Sequence, residues 1–142
     1  SSPALFFWGS FDLAQTRFSG RPATPPSNAP LFFQLAENEE NVACGFWPGN
    51  ISAAGLTYGE PAFYSYIFPF AEGYDKATVK PDAAYYDTEM GEFILRYEDV
   101  RLADDPDQMI LDFFESTYAV AADHAGWDRD RLESPLRTGA DE

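Results

Sequence analysis

The sequence predicts an α+β fold in which an antiparallel sheet of about five strands carries one long C-terminal helix on a face. Short segments of alternating apolar residues, separated by Gly, Pro and Asn, fill the chain before residue 100. One long segment after it repeats apolar residues every three or four positions. The length of 142 residues suits a single domain, 1–142.

The first third of the chain predicts strands on both sides of a proline-rich loop. Residues 5–18 alternate aromatic and polar side chains, which indicates one long strand or a strand pair. Residues 20–30 contain four prolines and are predicted to be an irregular surface loop. Residues 31–36 are compatible with a strand or a short helix.

The middle of the chain predicts the centre of the sheet and a hairpin. Residues 41–47 read as a strand that ends at Pro48 and Gly49. Residues 61–70 carry apolar side chains on both faces, which is typical of a central strand. Residues 84–97 have the form strand, turn, strand, with Gly91 available for a positive φ.

A helix is predicted over residues 106–125. Asp104 or Asp105 can cap its first turn, Pro106 suits the first helical position, and Gly126 is a natural stop. A short helical turn capped by Asp128 follows, and residues 134–142 are expected to be a frayed tail.

The charge balance excludes several classes of partner. With 24 acidic and 9 basic residues the formal net charge is -15, which repels nucleic acid and anionic lipid. No apolar run approaches the roughly 18 residues of a membrane span, and no basic leader is seen. With Cys44 as the one cysteine, no intrachain disulfide forms, and we expect a cytoplasmic protein.

Motifs for metals and cofactors are missing from the sequence. There is no C-x-x-C or H-E-x-x-H spacing, P-loop or dinucleotide fingerprint, so neither a metal nor a cofactor is predicted. We expect His124, near the helix C-terminus, to be structural, and Cys44 to be an inert packing residue.

The best functional hypothesis is a domain that binds a small molecule or carbohydrate in an aromatic cleft. Aromatic residues make up 17% of the chain, and such rings line ligand pockets as well as filling sheet cores. In the core alternative, Asp12 pairs with Arg17 or Arg21. The candidate binding residues are Trp8, Ser10, Asp12, Arg17, Arg21, Trp47, Tyr64 and Tyr66.

A second hypothesis is a hydrolase that uses Asp12 or Glu40 as general base. Two carboxylates can serve as acid and base when burial separates their pKa values. Glu39 and Glu40 are adjacent, however, and neighbours on an extended chain point to opposite faces, so a solvated charge run is the simpler interpretation.

Three blocks resemble a mainly bacterial family, the domain of unknown function numbered 5996. They are residues 6–21 (FFWGSFDLAQTRFSGR), 45–49 (GFWPG) and 63–66 (FYSY), and residues 91–101 and 127–129 fit the same family. Members are typically about twice this length, so the resemblance implies a C-terminal half. It implies a third hypothesis, an interaction half-domain that exposes an apolar patch and pairs with a partner half or with itself as a homodimer.

Overall fold

A six-stranded antiparallel sheet is the largest element of the structure, a computed structural model that describes residues 1–51 and 57–133. The strands of this sheet are β1 (Leu5–Phe7), β2 (Asp12–Pro22), β3 (Glu39–Trp47), β6 (Ala62–Phe68), β7 (Tyr85–Asp87) and β8 (Glu92–Arg96), and a separate pair is β4 (Asn50–Ile51) and β5 (Thr57–Tyr58). Their order in the sheet is β1-β2-β3-β6-β8-β7. The α+β prediction is therefore confirmed, with six strands where about five were expected.

The α-helices of the described residues are α1 (Leu31–Ala36), α2 (Tyr97–Arg101), α3 (Pro106–His124) and α4 (Arg129–Leu132), and a short 3-10 helix spans Tyr74–Lys76. The long predicted helix is α3, and its start follows the expected chemistry. The Asp105 side chain accepts a hydrogen bond from the backbone N–H of Gln108, and Pro106 occupies the first helical position. Gly126, just beyond the C-cap, has φ 64°.

The two faces of the sheet differ in what covers them. Residues paired across neighbouring strands share a face, so Phe63 and Leu95 lie on the face that carries α3, which we call the helix face. Burial of the helix-face core excludes apolar side chains from water, each contributing about 1.5–3 kcal/mol. This core contains Val42, Ile67, Phe93 and Leu95 from the sheet, with Phe113, Tyr118, Ala121 and Ala122 from α3.

The opposite face carries a second, smaller cluster of buried residues. Gly45 pairs with both Ala14 on β2 and Tyr64 on β6, and Tyr64 pairs with Ile94 on β8. The members of this cluster are Ala14, Trp47, Ala62, Tyr64 and Ile94, with Tyr58, Tyr66 and Met90 packed against them. The candidate site lies on this opposite face.

Local predictions are confirmed in most places. Residues 5–18 form the pair β1 and β2, and the central strand of 61–70 is β6. Gly91 joins β7 to β8 at φ 75°. The predicted frayed tail, 134–142, lies outside the described residues.

Two local outcomes differ from or refine the sequence interpretation. Residues 31–36 are helical, and β2 continues to Pro22 instead of ending before the predicted loop. Gly20 at φ 81° and a register shift between Phe18 and Pro22 allow this continuation, because the irregularity bends the strand without ending its pairing with β3.

Candidate functional site

Three aromatic rings form a row across the opposite face. The rings of Trp47 and Tyr64 stack with centroids 4.5 Å apart, and those of Tyr64 and Tyr66 are nearly parallel with centroids 6.3 Å apart. Both Trp47 and Tyr64 are buried. Their ring faces therefore pack mainly within the protein, and the hydroxyl groups of the tyrosines give the row its polar chemistry.

Gly45 makes room for this row. A Cβ atom at Gly45 would lie 2.6 Å from the hydroxyl oxygen of Tyr64 and would also collide with the backbone oxygen of Leu13. No real Cβ tolerates such contacts, so only glycine lets the Tyr64 side chain lie flat across β3. The position of the Tyr64 hydroxyl thus depends on a residue of the neighbouring strand.

Asp12 is a buried carboxylate at the beginning of β2. Its two oxygens accept hydrogen bonds from the hydroxyls of Ser10 and Tyr64. Burial, followed by the hydrogen bond to Asp12 and its negative charge, raises the pKa of Tyr64. Tyr64 therefore keeps its proton and acts as a hydrogen-bond donor to Asp12 rather than as a source of phenolate.

Glu92 is a second carboxylate on this face, at the beginning of β8. It lies two residues before Ile94 and so on the same side of the strand. Its Oε2 atom is buried and has no hydrogen-bond partner among the described residues. Burial, and then the charges of Asp12 and Asp87, raise the pKa of Glu92 to about 8.

Glu37 is a third carboxylate, held at the end of β6 farthest from Trp47. One of its oxygens accepts a hydrogen bond of 2.6 Å from the side-chain amide of Asn41, and the other lies 3.5 Å from the Tyr66 hydroxyl. Burial raises the pKa of Glu37. Burial also raises the pKa of Tyr66, with smaller contributions from the charges of Glu37, Glu92 and Asp12.

Together these groups form an acidic, hydroxyl-rich site, which we call the acid–tyrosine cluster: Asp12, Glu37, Tyr64, Tyr66 and Glu92. None of the ion pairs formed within residues 1–51 and 57–133 involves one of its carboxylates. Such a cluster favours groups that donate hydrogen bonds or carry positive charge. It also holds one carboxyl, Glu92, that exchanges a proton near neutral pH.

The structure brings together five of the residues that the sequence proposed for binding. These are Ser10, Asp12, Trp47, Tyr64 and Tyr66. The sequence interpretation missed Glu37 and Glu92. The alternation of β8, which buries Phe93 and Leu95 on the helix face, was the available signal that Glu92 points to the other side.

Arg17 and Arg21 lie away from the cluster, and the predicted pairing of Asp12 with either of them is wrong. Arg17 lies on the helix face, where it forms an ion pair of 2.5 Å with Glu115 and lies 4.3 Å from the ring centroid of Tyr118. Arg21 forms an ion pair with Glu40. Asp12 is satisfied by hydroxyl groups instead.

Glu40 lies on β3 and is hydrogen-bonded to residues near the C-terminal end of α3. Its Oε2 accepts hydrogen bonds from Ser19 at 3.1 Å, from Arg21 at 2.9 Å and from the indole N–H of Trp127 at 3.0 Å. Trp127 belongs to the helix-face core. Glu40 thus lies on the other side of the sheet from Asp12, and the two proposed general bases do not share a site.

Trp8 also lies apart from the cluster. Its side chain is 80% exposed at the turn between β1 and β2, with its ring centroid 4.8 Å from that of Phe6 and 6.2 Å from that of Phe11. Trp8 belongs to a different surface, which is described below.

The surroundings of Cys44 and His124 agree with structural roles for both residues. Burial raises the pKa of the Cys44 thiol to about 11, which makes it a poor nucleophile at neutral pH. His124 has its Nδ1 atom 3.0 Å from the backbone oxygen of Glu72, so the ring joins the end of α3 to the loop before residue 74.

No helix within residues 1–51 and 57–133 is both long and apolar enough to span a bilayer. Within the same residues no group of three or more His, Cys, Asp or Glu side chains is arranged to hold a metal ion.

No curated protein and no solved structure is found to match the chain. One family model, described as "Family of unknown function (DUF5996)", matches residues 1–134. Because that match covers nearly the whole chain, the protein belongs to the DUF5996 family of unknown function.

Proposed function

We propose that the domain binds a small polar molecule at the acid–tyrosine cluster. The observation that carries this proposal is the buried Oε2 atom of Glu92, which has no hydrogen-bond partner among the described residues. An unsatisfied buried carboxylate oxygen costs about 1–3 kcal/mol or more. A bound donor group from a ligand would offset that cost.

The chemistry of the cluster selects the kind of ligand. Its carboxylates accept hydrogen bonds, and Glu92 can also donate one when it is protonated. A ligand with several hydroxyl or amino groups, such as a sugar or a polyamine, matches this set of partners. An anionic ligand would meet like charges and is disfavoured.

The aromatic rings hold the polar groups of the site in position. Trp47 is buried against Tyr64, so its role in binding is to fix the Tyr64 hydroxyl and not to stack on a ligand. The Tyr66 side chain directs its own hydroxyl toward Glu37. Ser10 fixes the second oxygen of Asp12.

Native mass spectrometry tests the proposal. The protein would be purified gently, incubated with a small-molecule extract of the expressing cells, and measured before and after denaturation. We expect added mass that is lost on denaturation, present in the Glu89→Gln variant and missing from Glu92→Gln. Glu89 is exposed in the turn between β7 and β8, so it serves as the matched control. A bare protein mass in every sample, or added mass retained by Glu92→Gln, would contradict the proposal.

An acid–base enzyme is a second candidate, favoured by one observation. Glu92 has its pKa raised to about 8 and lies in the field of a second carboxylate, Asp12. Residues that act as general acids or bases at neutral pH have pKa values in this range. In this version of the hydrolase hypothesis Glu92 exchanges the proton, Asp12 holds the substrate, and Glu40 takes no part.

The enzyme candidate is tested by assaying ester, glycoside and phosphate substrates between pH 5 and pH 9, a range that spans the pKa of about 8. Turnover that titrates near that pKa and disappears in Glu92→Gln would support it. Turnover that survives this substitution, or no turnover with any of the substrates, would count against it.

A further inference from the structure

Six large apolar side chains remain exposed around the turn between β1 and β2. Their exposed fractions run from 43% to 80%. Taking about 150–250 Å² for a fully exposed aromatic side chain, they present roughly 600 Å² of apolar surface. We call this group of side chains the hairpin patch, and its members are Leu5, Phe6, Phe7, Trp8, Phe11 and Leu13. The patch wraps around the hairpin, with Phe6 and Leu13 on the helix face and Leu5 and Phe7 on the opposite face.

The hairpin patch lies at the upper end of the apolar area that a typical monomer exposes. The largest apolar patch on a typical monomer is about 300–600 Å² and is often functional. One partner in a standard interface contributes about 800 Å². Although the chain has a net charge of -15, the one charged residue between positions 5 and 13 is Asp12, which is buried. The patch is therefore an uncharged area on a strongly acidic protein.

Strand β1, within the patch, is an edge strand of the sheet. It pairs with β2 on one side, and no strand in the part of the chain that the structure describes pairs with its other side. Such an edge accepts another strand, and two identical edges can pair antiparallel about a two-fold axis. In such a pair both copies use the same edge, so no other surface of the chain is required.

A shallow apolar groove begins beside the same edge. Its volume is about 160 Å³, and it lies on the helix face where α3 leaves β2 uncovered. Ala4 forms its outer wall, and Leu13, Phe46 and Phe114 are among the residues that line it. Phe6 pairs with Leu13 and therefore lies on the same face as the groove.

Pairing of two β1 strands would place Trp8 of one copy beside the groove of the other. In an antiparallel pair of β1 strands centred on Phe6, each Trp8 stands opposite Ala4 of the other copy. The ring centroid of Trp8 lies 4.8 Å from that of Phe6, which is on the helix face, so Trp8 lies on the side of β1 where Ala4 lines the groove. The most exposed ring of the patch would thus meet the apolar groove of its partner.

We propose that a second copy of this chain pairs with β1, and that Trp8 of each copy packs into the groove beside Ala4 of the other. The interface is isologous, since the same patch and groove are used by both copies. The ring that enters the groove is a tryptophan, one of the residue types enriched among the side chains that dominate binding energy.

Sedimentation velocity over a wide range of protein concentration tests this proposal. We expect a monomer–dimer equilibrium that strengthens from low salt to about 0.5 M salt, where the screening length is about 4 Å and the repulsion between two acidic copies is reduced. Trp8→Ser should raise the dissociation constant by at least about 30-fold, as for the loss of an interface hot spot. Phe32→Ser removes an exposed aromatic side chain of α1, outside the patch, and should leave the dimer unchanged.

Tryptophan fluorescence gives a second readout that needs no substitution. Trp47 and Trp127 are buried, whereas Trp8 is exposed. Emission should therefore shift to shorter wavelength as dimer forms, and Trp8→Ser should remove this shift. A monomer at every concentration and salt, a dimer insensitive to Trp8→Ser, or assembly beyond a dimer would overturn the proposal.

Discussion

The hydroxyl of Tyr64 donates a hydrogen bond to the buried carboxylate of Asp12, although the two residues are 52 positions apart in the chain. This contact joins the beginning of β2 to the middle of β6 across the intervening strand β3. It places a negative charge inside the opposite face and supplies a donor for it. The other two carboxyl groups of the acid–tyrosine cluster are those of Glu37 and Glu92.

Tyr64→Phe should destabilise the protein by about 1–3 kcal/mol. The substitution keeps the ring and its stacking on Trp47 but leaves a buried Asp12 oxygen without its donor. Urea unfolding followed by circular dichroism measures the change. Tyr97→Phe, at an exposed tyrosine, is the control and should change stability by less than about 0.5 kcal/mol. Equal effects of the two substitutions would show that Asp12 does not depend on Tyr64.

Gly45→Ala should destabilise the protein by about 3 kcal/mol or more, because its Cβ would collide with backbone of β2 as well as with Tyr64. Gly59→Ala is the matched control, since a Cβ there meets no atom of residues 1–51 and 57–133 within 4 Å. Thermal unfolding of both variants checks the prediction. A Gly45→Ala protein as stable as Gly59→Ala would mean that the Tyr64 ring does not lie across β3.

Glu92→Gln should stabilise the unliganded protein at alkaline pH and have little effect at acid pH. The pKa of Glu92 is about 8 in the folded protein and near 4.5 when unfolded, so the unfolded chain loses this proton first. The contribution of Glu92 to stability is fully present below about pH 4.5 and is lost as the pH rises through about 8.

The advantage of Glu92→Gln above pH 8 should be roughly 3–5 kcal/mol, since each pKa unit corresponds to 1.36 kcal/mol. Urea unfolding at a series of pH values measures it, with Glu89→Gln as the exposed control. A difference between wild type and Glu92→Gln that does not change with pH would contradict the assignment.

Glu40→Ala should lower stability by about 2 kcal/mol and leave ligand binding unchanged. It removes the acceptor of the buried Trp127 indole N–H and of Ser19 and Arg21. Glu39→Ala, at the exposed neighbouring residue, is the control. Loss of binding or turnover in Glu40→Ala without loss of stability would restore Glu40 as a functional residue.

The elements of this fold that local chemistry determines could be predicted from the sequence. Helix α3 follows from its cap at Asp105 and its apolar spacing, and the β7–β8 hairpin follows from Gly91. The alternation of 61–70 likewise identified β6 as a central strand. In each case the signal lies within a few neighbouring residues.

The partners of the charged residues could not be predicted in this way. The sequence predicts that Asp12 pairs with Arg17 or Arg21, which are close to it in the chain. In the structure Arg17 forms an ion pair with Glu115 on α3, and Arg21 forms one with Glu40 on β3. Glu92 was missed because its burial depends on strands that are adjacent only in the folded sheet. Such contacts depend on register between distant segments, which a single sequence does not specify.

Glu92 is a half-buried carboxyl with one buried oxygen atom; burial and then the charges of Asp12 and Asp87 raise its pKa to about 8. A titration of the Glu92 side-chain carboxyl by carbon-13 NMR measures this directly in wild type and in Asp12→Asn. We predict a midpoint near pH 8 in the wild type, and a lower midpoint in Asp12→Asn because one of the two charges that raise the pKa has been removed. A midpoint near 4.5 that Asp12→Asn does not move would contradict the account.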